Sequence, residues 1–120
     1  MPKTAGLPPG TLVLLILRVL RPGPLHGYAI AQRIRSLSSE QLSVEEGSLY
    51  PALQKALANG WLKAEWTISD TGRQVRSYRL TPKGLKQLES EQDDYRRMAD
   101  AIAAILQSTS APGSGVSGTC

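Results

Sequence analysis

The sequence predicts a mainly α-helical chain carrying one small β-hairpin, and three observations predict it. Residues 47–58 place Leu49, Ala52, Leu53, Ala56 and Leu57 on one side of a helix, with Tyr50, Pro51, Gln54 and Lys55 opposite and Ser48 at the edge. Trp61 to Ile68 then alternates apolar and polar, and after the turn cluster Ser69-Asp70-Thr71-Gly72 the chain returns as a second strand from Arg73 to Leu80. From Thr81-Pro82 onward a helical stripe recurs in steps of three and four as far as Leu106. Short helices followed by a basic hairpin are the layout of a winged helix-turn-helix, here extended by a C-terminal dimerisation helix.

Taken in order, Pro8-Pro9-Gly10 is a breaker, and Thr11 is the expected cap of a first helix running to about Leu20. Apolar residues surround this helix, so it belongs at the centre of the core or in a dimer contact. Arg21-Pro22-Gly23-Pro24 ends it. A second helix spans about His26 to Leu37, with Tyr28, Ile30, Ala31 and Ile34 available for burial and Gln32, Arg33 and Arg35 on its wetter side. A polar connection from Ser38 to Glu46 leads to the third helix, which carries Pro51 near its first turn and stops at Asn59-Gly60.

In the hairpin, Leu62, Ala64, Trp66 and Ile68 share one face with Tyr78 and Leu80, while Arg73, Arg76 and Arg79 supply charge. Trp61 and Trp66 frame an alternating strand and are expected in the core; Gly72 meets a turn requirement for positive φ. Thr81 caps the last helix and Pro82 sits at its first position. Its stripe is Leu85, Leu88, Gln92, Tyr95, Ala99, Ile102 and Leu106, widened by Met98 and Ile105. Such a stripe packs on its own domain or forms a seam with a second copy. The second is expected, because a short winged helix has little core to receive so long a helix; Leu88, Tyr95, Ala99, Ile102 and Leu106 are the seam residues. The domain limits are therefore a flexible N-terminus at 1–9, a DNA-binding winged helix at 10–81, the dimerisation helix at 82–107 and a disordered Ser/Gly-rich tail at 108–120.

At 120 residues there is room for one small domain. The formal charge is +4, unevenly spread. Residues 1–46 hold five Lys/Arg against three Asp/Glu, residues 47–81 five against two, residues 82–107 four against five, and the last thirteen residues none, so the excess lies on the first two-thirds. Positive charge thus gathers on the part expected to meet a polyanion. One cysteine, Cys120, and one histidine, His26, exclude a disulfide framework and a Cys/His metal site. No nucleophile stands beside a histidine, no carboxylates pair in an apolar setting and no Gly-rich phosphate loop is present, so no enzyme and no cofactor are expected. The single cysteine makes a reducing cytoplasm the expected location, and the apolar run Leu12–Leu17, broken by Arg18 and Arg21 and short of the ~20 residues a membrane span needs, reads as a buried helix.

A tyrosine, a glutamine and a lysine together on one exposed helix face suit double-stranded DNA. Gln54 can pair with adenine through two hydrogen bonds in the major groove. Tyr50 can reach phosphate or a thymine methyl, Ser48 phosphate near the helix N-terminus, and Lys55 phosphate or guanine. Arg73 and Arg76 flank the wing turn and suit phosphates or the minor groove. Tyr28 and His26 can touch the DNA backbone, although His26 can equally cap or pack locally. Two rivals use the same fold: a protein-interaction module, which would not need the wing's arginines, and a ligand-independent architectural DNA binder.

Gly10-Thr11-Leu12, Gly23-Pro24-Leu25-His26-Gly27-Tyr28-Ala29-Ile30, Gly47-Ser48-Leu49-Tyr50-Pro51-Ala52-Leu53 and Tyr78-Arg79-Leu80-Thr81-Pro82-Lys83-Gly84 follow one another at helix openings and at the junction after the hairpin. With these pieces the chain resembles the PadR family of transcriptional regulators from Gly10 to Leu106. The resemblance implies a homodimeric winged-helix repressor on a pseudo-palindromic operator, of the short subgroup with a single C-terminal helix. It further implies a dimer cavity for a small aromatic effector, with Tyr95 and Met98 as candidate contacts, and control of a nearby transporter or stress operon. Tyr95 stands where several relatives carry Trp, and Gln54-Lys55 where His or Lys followed by Arg is more usual.

Overall fold

The structure is a computed structural model that describes Leu7 and residues 10–109. The flexible stretch expected at 1–9, the tail expected at 108–120 and Cys120 lie almost wholly outside the described residues. The elements run α1 (Thr11–Val19), β1 (Leu25–His26), α2 (Gly27–Leu37), α3 (Glu46–Ala58), β2 (Leu62–Ile68), β3 (Gln74–Leu80) and α4 (Pro82–Leu106). The strands form one antiparallel sheet in the order β1-β3-β2. This is a winged helix-turn-helix with a long C-terminal helix. Among the described residues no helix is long and apolar enough to cross a membrane.

α1 is the central element, packed on α2, α3 and α4. Its Ile16 and Leu17, with Leu20 just beyond, are fully buried together with Ile30 of α2, Leu53 of α3 and Leu88 of α4. The expected cap differs: Thr11 is the first helical residue, and Gly10 precedes it in the left-handed region at φ 85° with no side-chain cap. A glycine reaches that conformation at no steric cost, which removes the need for a capping hydroxyl to set the turn. The α2 cap is His26, whose Nδ1 accepts from the Ala29 amide at 3.3 Å. The residues ahead of α2 also form a strand that the sequence pattern does not reveal, Leu25 and His26 pairing with Tyr78 and Ser77.

α3 keeps its predicted faces, with Leu49, Leu53 and Ala56 buried. Pro51 is its sixth residue, inside the helix and not in its first turn, so the Gly47 carbonyl loses its intrahelical donor. The helix ends in a Schellman motif: the Gly60 amide donates to Leu57 O at 3.0 Å and the Trp61 amide to Ala56 O at 2.9 Å, with Gly60 at φ 76°. Tyr28, expected as a burial candidate on α2, is 70% exposed.

The same point fastens the start of α4. Thr81 donates its amide to Trp61 O at 3.0 Å and its hydroxyl to Gly60 O at 2.7 Å, while Thr81 Oγ1 accepts from the Gly84 amide at 2.9 Å. Gly84 lies so close to this strand that a Cβ there would stand 2.1 Å from Trp61 O and 2.8 Å from Leu80 Cδ1. The first part of α4 is thereby held on the core, which corrects the expected seam: Leu88 is fully buried within its own chain, and Leu85 packs against the same cluster. Beyond Gln92 the helix projects, with Tyr95, Met98, Ile102, Ile105 and Leu106 exposed. The 25 residues of α4 span about 37 Å at 1.5 Å per residue, and the molecule measures 65 × 32 × 22 Å.

Gly84→Ala is expected to destabilise the fold by about 2 kcal/mol or more, since a backbone carbonyl must move to admit the methyl, lowering the melting temperature by ~10 °C. Gly47→Ala, where no atom lies within 4 Å of an added Cβ, should leave it unchanged or slightly raised. Paired thermal melts by circular dichroism check both; equal melting of the two variants contradicts the close approach.

Candidate nucleic-acid interface

Tyr50, Pro51, Gln54 and Lys55 stand exposed on α3, with Ser48 exposed one turn earlier. Their position follows from burial of the opposite face, since Leu49, Leu53 and Ala56 are locked beneath α1. The wing projects beside this helix. Its tip is a three-residue loop closed by Ser69 N to Arg73 O at 2.8 Å and Gly72 N to Ser69 O at 2.9 Å, with Gly72 at φ 82° as its sequence position required. The register is Leu62–Leu80, Ala64–Tyr78, Trp66–Arg76 and Ile68–Gln74 along the face shared with the core. Arg73 and Arg76 are exposed, and neither they nor Lys55 joins an ion pair among the described residues.

A cleft of about 400 Å³ separates α3 from the wing, and Tyr28, Tyr50, Gln54, Trp66, Arg76 and Tyr78 contribute to its walls. Of the residues expected to contact DNA, the structure brings Tyr28, Tyr50, Gln54 and Arg76 together here. Ser48, Pro51, Lys55 and Arg73 are exposed outside this lining. Tyr28 is oriented by the Gln32 side-chain amide, which donates to its hydroxyl at 3.1 Å. Tyr78 forms the floor: burial pushes its phenol above the usual range, the nearby Arg76 guanidinium opposes that rise, and Tyr50 adds to it. The floor is therefore a neutral hydroxyl at neutral pH.

Trp66 is the main correction at this site. Expected in the core, it is 63% exposed, and Ile68 on the same face is exposed as well. Only Leu62 and Ala64 reach the helical layer; the outer half of β2 extends past it. One sequence signal was present, since counting outward from the turn sets Trp66 and Ile68 against Arg76 and Gln74, polar partners that a buried face would not carry. Trp61, by contrast, is partly buried against the core as expected. Glu45 and Glu46 at the start of α3, which leave no mark in the helix periodicity, complement the positive end of the helix dipole.

A second groove of about 450 Å³ lies between α1 and α4, where Leu14, Leu15 and Arg18 face Gln92 and Tyr95. Tyr95 thus borders a cavity within one chain, whereas Met98 lies outside its lining and exposed.

The described geometry agrees with comparisons to known proteins. Residues 16–90 match the model of the transcriptional regulator PadR-like family. The negative transcriptional regulator PadR of Bacillus subtilis is 32% identical over 73 residues, covering 61% of this chain and 40% of that protein. A transcriptional regulator structure from Clostridium thermocellum superposes with a TM-score of 0.74 at 26% identity, covering 82% of this chain and 95% of the other. A PadR family transcriptional regulator from Eggerthella lenta gives 0.68 at 30% identity, covering 83% and 85%. The chain spans 24% of the length of one curated relative that it matches and 40% of another. With the family model covering most of the folded chain and the winged helix reproduced, this protein belongs to the PadR-like family of transcriptional regulators.

Proposed function

We propose that the protein is a dimeric repressor that binds a pseudo-palindromic operator near its own gene, with α3 in the major groove and the wing along the adjacent minor groove. The observation that carries this reading is the exposed set of Tyr50, Gln54, Lys55, Arg73 and Arg76, whose cations are free of ion pairs among the described residues. A surface kept basic without internal partners suits a polyanion better than a protein-interaction role. Repression is supported by the likeness to a negative regulator in Bacillus subtilis. Control of a nearby transporter or stress operon and a cytoplasmic location complete the proposal.

Dimerisation is assigned to the distal half of α4, where Tyr95, Ala99, Ile102 and Leu106 continue the stripe after Leu88 has been spent in the core. A projecting helix with this much apolar surface is stabilised by a partner. The groove beside Tyr95 is the best place for a small aromatic effector, with Arg18 at its edge favouring a neutral or anionic ligand over a cation.

In titrations against a duplex from the upstream region, Tyr50→Ala and Gln54→Ala should each lower specific affinity by ~1–3 kcal/mol. Arg76→Ala should weaken all duplexes and reduce the salt slope by about one; an unchanged slope removes the wing from the interface. Ile102 is 48% exposed, so Ile102→Glu should keep the fold and yield a monomer in sedimentation velocity. A dimer that persists in this variant would relocate the interface.

A further inference from the structure

Four of the chain's six aromatic residues, Tyr28, Tyr50, Trp66 and Tyr78, line the single cleft between α3 and the wing. They come from four different elements or element ends, so no local sequence pattern gathers them; the fold does. Arg76 is the cleft's only Arg or Lys, and no Asp or Glu lines it. The Trp66 indole stands directly across the ladder from Arg76, at the separation where cross-strand side chains touch.

A helix in the major groove and a wing in the neighbouring minor groove straddle one strand of the duplex, because a single sugar–phosphate backbone divides the two grooves. That strand must pass between α3 and the wing. The cleft therefore faces it. A deoxyribose offers a flat apolar edge and the phosphates on either side offer charge, which matches an exposed indole beside a guanidinium. The indole N–H adds one donor. The lining is complementary to this occupant in charge, and it is continuous with the α3 and wing residues assigned to DNA.

We propose that the cleft seats the sugar–phosphate strand between the two grooves, with the Trp66 indole packed on a deoxyribose and the Arg76 guanidinium on the adjoining phosphate. This rests on the reading of the protein as a DNA-binding regulator and adds Trp66 as a contact residue. The indole contact displaces water and no counterions, so it contributes affinity that salt does not screen. Arg76 contributes the screened part, and Trp66 restricts where its guanidinium can swing.

The full-length chain labelled with 5-fluorotryptophan gives two ¹⁹F resonances, assigned through Trp66→Phe. On addition of the upstream duplex the Trp66 resonance should shift and lose its solvent-isotope effect, while that of Trp61 stays. Trp66→Ala should weaken binding about tenfold or more, as expected for returning a buried aromatic face to water, with the salt slope unchanged. Trp66→Phe should fall between it and the parent. Melting curves of both variants should match the parent, given the exposure of the side chain. A parent protein that binds no duplex sinks the DNA-binding reading itself. A parent that binds, with either an unmoved Trp66 resonance or an unchanged Trp66→Ala affinity, overturns the proposal alone.

Discussion

The contact between the start of α4 and the Trp61 carbonyl fixes the geometry of everything else. Three elements meet there: the Schellman end of α3, the first residues of β2 and the capped N-terminus of α4. Thr81 serves two of them through one hydroxyl, donating to Gly60 O and accepting from Gly84 N. Gly84 lets the two backbones approach to a distance that no Cβ tolerates. Because α3, the wing and α4 all leave from this knot, the direction of the projecting helix is tied to the direction of the exposed α3 face. The proposed dimer, joined through α4 and reading DNA through α3, would need that coupling to be stiff, since the separation of its two α3 helices would have to match one turn of the duplex.

Charge and apolar surface are divided along the same lines. Residues 1–81 carry the positive excess, ten Lys/Arg against five Asp/Glu, and residues 82–107 are slightly acidic. On the outer part of α4, Arg97 is engaged by Asp94 on the same helix, while the wing arginines are left unpaired among the described residues. The acidic distal helix is therefore the part that gains least from approaching DNA, which suits it to pairing between copies.

Much of this was legible from residue patterns. The faces of α3, the Asn59-Gly60 stop, the Thr81-Pro82 start and the wing turn are all set by local chemistry: periodicity, a left-handed glycine, a capping hydroxyl, a fixed φ. Where the pattern misled, the missing information was depth. Leu88 and Ile102 occupy equivalent positions in one stripe, and only the docking of α4 decides that the first is core and the second is surface. Trp66 and Leu62 likewise share one strand face, and the helical layer ends between them. The strand at Leu25–His26 is two residues long and owes its existence to β3, so it leaves no periodic trace. Thr11 had a capping residue's chemistry, but Gly10 already supplied the turn.

The exposed Trp66 also bears on how such a surface discriminates among sequences. Phosphate contacts alone hold a protein on any duplex and allow it to slide, because every phosphate is alike. Gln54 can distinguish a base only when it faces that base within hydrogen-bond reach, so reading depends on the register set by the surrounding backbone contacts. An indole wedged against one sugar is a short-range contact that weakens sharply on displacement, unlike the long-range pull of Arg76 on the phosphates around it. In the proposed complex the two together would convert general attraction into a fixed position, from which α3 would read the bases.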